Sequence, residues 1–360
     1  MKDNISATQW LSMLGASVSA ILMMNYIRLF VSAVGRGTYL SALLLAALTL
    51  ILLLGILALV RANDFRSPRE VAAALLGERA AALLCAFAAL LFFLFAAETL
   101  NIYVYIVKFY FLPRTPTAVL AIVLFLPGVY MAFCGFRTFG SIASAASLGW
   151  FLFLLMFPFT KNNYLPANLM PWNDFSLSEI FATLPSLFLT APAAAASFFA
   201  LPHCTERQKL KKKALTFAVL LCLVMLFLYF AGMAYFGENV IQRLILPFYN
   251  LSPFFKGNLL ERFDIIYMLA LLPALTVFNG FAFSVFTLIC RETTAKNNAA
   301  HSGRRLLLFA AAVVILSVIT VNRISLRKIY TCGNIIFLFL IGALSLCYLG
   351  SALKKRRETP

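Results

Sequence analysis

Apolar residues run in ten long stretches along this chain, with short polar segments between them. The stretches cover roughly 8–33, 38–60, 80–111, 115–134, 140–160, 181–201, 212–236, 264–290, 305–322 and 330–352. A helix needs about 20 apolar residues to cross a bilayer. Helices are expected because lipid offers no partner to a loose backbone N–H or C=O. The pattern therefore predicts an all-α polytopic membrane protein with ten transmembrane helices. The longest polar segments, 161–180 and 237–263, are too short to fold as soluble domains. The first stretch is too long for a signal-peptide core and no cleavage site follows it, so no cleavable signal peptide is expected.

Composition agrees with this reading. Hydrophobic residues make up 62% of the chain and charged residues 12%. The basic residues set an expected orientation. With both termini on one side, that side holds Lys2, the 61–79 loop, Arg137, the run Arg207 to Lys213, the 291–305 loop and the basic tail 353–360, which together carry 19 of the 30 Lys and Arg. Both termini are therefore placed in the cytoplasm. A net charge of +17 would suggest nucleic acid in a soluble protein. Here basic loops meet anionic membrane lipids, no nucleic-acid motif is present, and no nucleic-acid partner is expected.

The seven cysteines form no C-x-x-C pair and read as small apolar packing residues. His203 beside Cys204 supplies two metal ligands where three or four are needed, so no metal is expected. No phosphate loop, G-x-S-x-G or H-E-x-x-H is present. The chain reads as a non-enzyme without a cofactor.

Ten helices with both ends on one side divide into two sets of five, 1–160 and 181–352, within one transmembrane domain. An odd number per half inverts the second half, as in transporters that hold ligand between broken helices. The sixth stretch is a candidate for such a break. It reads Thr190-Ala191-Pro192-Ala193-Ala194-Ala195-Ala196-Ser197, and Pro192 removes a helix donor. A ligand could approach the backbone there, or a neighbouring helix could pack closely. The first stretch offers Gly15-Ala16-Ser17 and Ser19, which fit a ligand-facing or unwound segment and also fit close packing.

In the third stretch Glu98, Asn101, Tyr105 and Lys108 share one helix face. A carboxyl group inside a membrane is costly unless it is paired, protonated or next to water, which makes Glu98 a functional candidate. Asn279, beside Gly280 in the eighth stretch, faces the same cavity in an inverted arrangement or bonds a neighbouring helix. Before that stretch stands Leu260-Glu261-Arg262-Phe263-Asp264, where Asp264 suits the positive end of a helix.

That segment carries a resemblance. With it agree Ile5-Ser6-Ala7-Thr8-Gln9, Val34-Gly35-Arg36-Gly37-Thr38-Tyr39-Leu40-Ser41, Phe111-Leu112-Pro113-Arg114-Thr115-Pro116 and Gly237-Glu238. In order and spacing these segments resemble the spore germination permeases, the B subunits of nutrient germinant receptors. The resemblance covers nearly the whole chain. Arg36-Gly37-Thr38 departs from the family's usual Asp and Trp.

The resemblance implies the fold of amino acid–polyamine–organocation transporters, an inverted five-plus-five repeat with helices 1 and 6 broken. It also implies receptor A and C subunits as partners, the spore inner membrane as location, and a small nutrient, an amino acid above all, as ligand. The ligand is expected between spans 1, 3, 6 and 8, against Gly15, Ala16, Ser17, Glu98, Asn101, Tyr105, Thr190, Ala191, Ala194, Ser197 and Asn279. Arg36, Pro113, Thr115, Pro116, Glu261, Arg262 and Asp264 belong to the family's structural motifs. A secondary transporter of amino acids, or a water- or ion-conducting subunit, fits the same residues.

Overall fold

A computed structural model describes residues 4–24, 26–155, 165–169, 178, 190–244, 246–250, 263–293, 299–320 and 326–358. The helices are α1 (Ala7–Met24), α2 (Tyr26–Val34), α3 (Thr38–Ala62), α4 (Pro68–Leu76), α5 (Glu78–Tyr110), α6 (Thr117–Cys134) and α7 (Phe136–Ala146). They continue with α8 (Leu148–Leu155), α9 (Ala191–Ala200), α10 (Leu210–Ile241), α11 (Phe263–Thr293), α12 (Ala299–Thr320) and α13 (Leu326–Glu358). Among the described residues there is no strand, only a parallel bridge between Ile5 and Cys204.

Six helical stretches are long and apolar enough to cross a membrane: Tyr26–Ala62, Glu78–Tyr110, Thr117–Cys134, Arg207–Ile241, Tyr267–Glu292 and Gly333–Lys355. Of the remaining expected spans, the ninth is a shorter apolar helix, Arg305–Thr320, and the others are divided or partly outside the described residues. The first is split into α1 and α2, and the fifth into α7 and α8. The sixth is described only from Thr190 onward.

Local chemistry explains the element ends. Ser6 and Gln9 form a reciprocal cap on α1: Ser6 N donates to Gln9 Oε1 at 2.9 Å and Gln9 N to Ser6 Oγ at 3.1 Å. The same device starts α4, a helix the hydrophobic pattern did not predict. Glu70 N donates to Ser67 Oγ at 3.3 Å, Ser67 N to Glu70 Oε2 at 3.2 Å, and Pro68 stands in the first turn.

The bend between α2 and α3 is a 3-10 turn at Gly35–Gly37 with Gly35 at φ 58°. A side chain at Gly35 would also lie 2.6 Å from Glu238 Oε1. Arg36 Nε is 3.7 Å from Glu238 Oε2, and Tyr229 donates to Arg36 O at 2.6 Å. Between α5 and α6, Thr115 N donates to Leu112 O at 3.1 Å, and Pro116 O accepts the first bond of α6, from Leu120, at 3.2 Å. Pro113 lies in the same turn. Glu261 and Arg262 lie outside the described residues. Asp264 belongs to the first turn of α11, and its side chain is outside them too.

α11 is the central helix. Of its apolar window 78% is buried, against 33–44% for the other five crossing stretches. It packs against α1, α5, α6, α7 and α8. α11 comes close to α6 at two glycines: a Cβ on Gly280 would lie 3.5 Å from Gly128 Cα, and 2.3 Å from Met131 Cε, which would have to swing aside.

One end of the bundle collects the basic segments assigned above to one side. Arg69 Nη1 donates to Glu292 O at 2.7 Å, and Arg291 Nη2 to Ala132 O at 2.9 Å. Arg207 stacks over the Phe65 ring at 4.3 Å. Lys355 binds Asp64 at 2.5 Å and holds that exposed carboxyl below the usual carboxylate range.

Candidate functional site

A cavity of about 360 Å³ lies beside α1. Among the described residues its walls come from α1 (including Ser12, Gly15, Ala16 and Ser19), α7 and α8 with their connecting Ser147, α10 (Phe217, Leu221) and α11 (Ala274, Val277). Small residues on facing helices create the space. A Cβ placed on Gly15 would meet nothing within 4 Å.

The cavity is mostly hydrocarbon, with three hydroxyls. Ser12 Oγ donates to Thr8 O at 3.1 Å, Ser19 Oγ to Ala16 O at 3.2 Å and Ser147 Oγ to Ser144 O at 2.6 Å. A hydroxyl has one proton and two lone pairs, so each oxygen keeps acceptor capacity, that of Ser12 shared with Ser144 Oγ at 3.0 Å. The cavity suits a small ligand with an apolar body and a donating group.

Of the residues singled out in sequence, Gly15 and Ala16 line this cavity. Ser17 points away, buried, and its hydroxyl donates to Leu14 O at 2.7 Å. The expected break in the first span is absent at residues 15–17, which are regular helix. The reason is local: no proline is present, and both Ser17 and Ser19 bond back to their own helix.

The sixth-span residues have a different use. α9 begins at Ala191, with Pro192 in the first turn where its missing N–H costs nothing. Thr190 meets Thr49 of α3 at 2.8 Å, and Ser197 accepts from Trp10 Nε1 at 3.3 Å. Ala191 and Ala194 are fully packed. These four residues tie α9 to its neighbours and are not on the cavity wall.

The third-span face is also apart from the cavity. Asn101 Nδ2 donates to Thr320 Oγ1 on α12 at 2.9 Å. The Tyr105 ring stacks on Phe109 at 5.9 Å. Asn279 accepts from Thr99 of α5 at 3.0 Å, while its Nδ2 has no partner among the described residues. Glu98 faces α13: a Cβ on Gly333 would lie 3.7 Å from Glu98 Oε2.

Sequence reasoning missed the α7, α8 and α10 walls. Ala143, Ala146 and Phe217 carry no signal that separates a cavity wall from a packed or lipid-facing surface. His203 and Cys204 do not converge. His203 Nε2 lies 3.1 Å from Glu292 Oε1, Cys204 Sγ turns to Ala200 O at 3.8 Å, and burial pushes the Cys204 thiol up to about 12. Among the described residues no group of three or more His, Cys, Asp or Glu is placed to hold a metal.

Long apolar helices wrapped around a buried central helix define an integral helical membrane protein. The chain belongs to the spore germination protein family, which it matches over residues 4–325. Among curated proteins none matches it.

Proposed function

We propose that this protein is the nutrient-sensing transmembrane subunit of a spore germinant receptor. The nutrient occupies the cavity beside α1, and its arrival triggers germination. The carrying observation is that Gly15, Ala16 and Ser19 of the first span border a cavity of about 360 Å³, within a chain of the spore germination protein family. Apolar walls with acceptor hydroxyls support a small aliphatic amino acid as the ligand class. A nutrient can shift the helices only by binding one arrangement more tightly than the other.

In this reading ten spans form two inverted sets of five. The chain sits in the spore inner membrane with both termini and its basic end in the cytoplasm. It works with receptor A and C subunits and has no enzymatic activity of its own. The clustering of Arg69, Arg207, Arg291 and Lys355 at one end supports the orientation.

The test is nutrient-triggered germination of spores lacking this chain, across amino acids, sugars and nucleosides. The expected result is loss of response to one class. The wild-type chain restores it, and Gly15→Leu, which fills the cavity, does not. An unchanged response to every nutrient overturns the reading. Gradient-driven accumulation of the nutrient in vesicles holding this chain alone would replace it with transport.

A further inference from the structure

The cavity leaves one polar feature of the bundle without a use. Glu98 lies inside α5, in one of the stretches long enough to cross the membrane, and is half-buried. No hydrogen-bond donor and no opposite charge reaches its carboxylate among the described residues. Lys108, further along α5, donates instead to Thr117 Oγ1 at 2.5 Å. An ionised carboxylate at this depth is costly without a compensating charge.

What faces it is on α13. Phe92 and Phe95 of α5 pack on Phe337 at 5.0 and 5.4 Å. Glu98 stands about one turn beyond Phe95, and Gly333 and Asn334 about one turn before Phe337. The helices run antiparallel here, and the 3.7 Å approach of Glu98 Oε2 to a Cβ on Gly333 puts those two residues in one layer, with Asn334 the next residue along α13. The missing side chain at Gly333 leaves room beside the carboxylate. Asn334 is 5% exposed, and its Nδ2 has no partner among the described residues. Its amide is therefore free to turn its oxygen toward that room, since little holds it in either sense.

We propose that Glu98 and Asn334 hold a small monovalent cation between α5 and α13, at a site separate from the nutrient cavity. One carboxylate neutralises one positive charge, which favours an alkali ion over a divalent one. Carboxylate and amide oxygens are the hard ligands such ions take. The inference does not rest on nutrient sensing, and its test needs no nutrient.

The experiment is thermal unfolding of the full chain in lipid nanodiscs. Sodium or potassium chloride replaces N-methylglucamine chloride at fixed ionic strength and pH. The wild type is expected to show a saturable rise in Tm with one or both alkali ions. Glu98→Gln should lose that rise. Asn334→Ala should need about tenfold more salt for half of it, as for a lost contact to a charged group. Gly333→Val, which fills the space beside Oε2, should reduce it and keeps the test open if Glu98→Gln folds poorly. The proposal is overturned by an equal rise in the wild type and Glu98→Gln, or by no saturable rise with either ion. A stabilisation that follows pH and not the alkali ion also overturns it, because Glu98 then carries a proton.

Discussion

Gly15 on α1 and Ala194 on α9 sit within two runs of small residues that look alike in sequence and behave differently in the fold. Around Gly15 a cavity opens, and a Cβ there would touch nothing within 4 Å. Around Ala194 every residue from Ala191 to Ala200 is buried. The difference lies in the neighbours. α9 is gripped by Trp10 through Ser197, by Thr49 through Thr190, and by Tyr348, whose ring lies 5.3 Å from that of Phe198. α1 at Gly15 faces Ala143, Ala146 and Ala274, which are too small to close the gap. Small residues permit close approach, and only the opposing side chains decide whether it happens.

Substitutions can break or sharpen this contrast. Ala194→Leu has the largest expected effect. The added carbons find no space at a site 1% exposed, and overpacking should cost about 1–3 kcal/mol, read as a lower thermal midpoint and a smaller folded yield. A midpoint equal to the wild type would erase the distinction between the two runs.

Ser197→Ala should cost less, about 1 kcal/mol, by removing the acceptor of the Trp10 indole. Trp10→Phe should cost less in the Ser197→Ala background than alone, because the pair is already broken there while the packing lost with the buried indole is common to both. Additive losses would show that the bond does not couple α1 to α9.

Gly15→Ala should raise the midpoint, by at most about 1 kcal/mol from helix propensity, while it shortens the cavity. The sharpened contrast is a protein of equal or higher stability with a weaker nutrient response. A drop in stability would mean that the space around Gly15 is already filled.

The smallest effect belongs to the basic end, as a control outside both runs. Lys355 holds the Asp64 carboxyl below its ordinary range, so the pair contributes above a pH of about 4. That contribution disappears as the pH falls through the lowered folded-state value. Asp64→Asn should therefore differ slightly from the wild type at neutral pH and coincide with it in strong acid, measured as thermal midpoint against pH.

Much of the fold was legible in the sequence, because lipid leaves so few alternatives. α3, α5, α6, α10 and α11 all run close to the ends that hydropathy set. The reciprocal caps at Ser6–Gln9 and Ser67–Glu70 went unread, although Ser followed three residues later by Gln or Glu is the pattern such caps take. The second starts α4, a helix that was missed because its nine residues are too short and mixed to register as an apolar stretch.

The site was less legible. Hydropathy places Phe217 and Ala143 in spans but does not say which way they turn. Ser17 and Ser19 are two positions apart on one helix, so they point to different sides, and only Ser19 reaches the cavity. The sequence put Glu98 and Asn101 on one helix face, and in the fold they meet α13 and α12 respectively. These surroundings, α12 and α13 rather than α1, depend on contacts more than 200 residues apart.

The bridge between Ile5 and Cys204 carries a consequence for the order of assembly. Ile5 N donates to His203 O at 3.0 Å and Thr205 N to Ile5 O at 3.0 Å. These partners lie about 200 residues apart in the chain. A ribosome adding roughly 5–20 residues per second needs about 10–40 s to produce the second after the first. For that interval the segment leading into α1 has no mate, and the closing of this end must wait until the chain has been made through residue 205. The seam can close only after α9 has been made, so the entry to α1 is fixed by a partner that α2 to α9 separate from it in the chain.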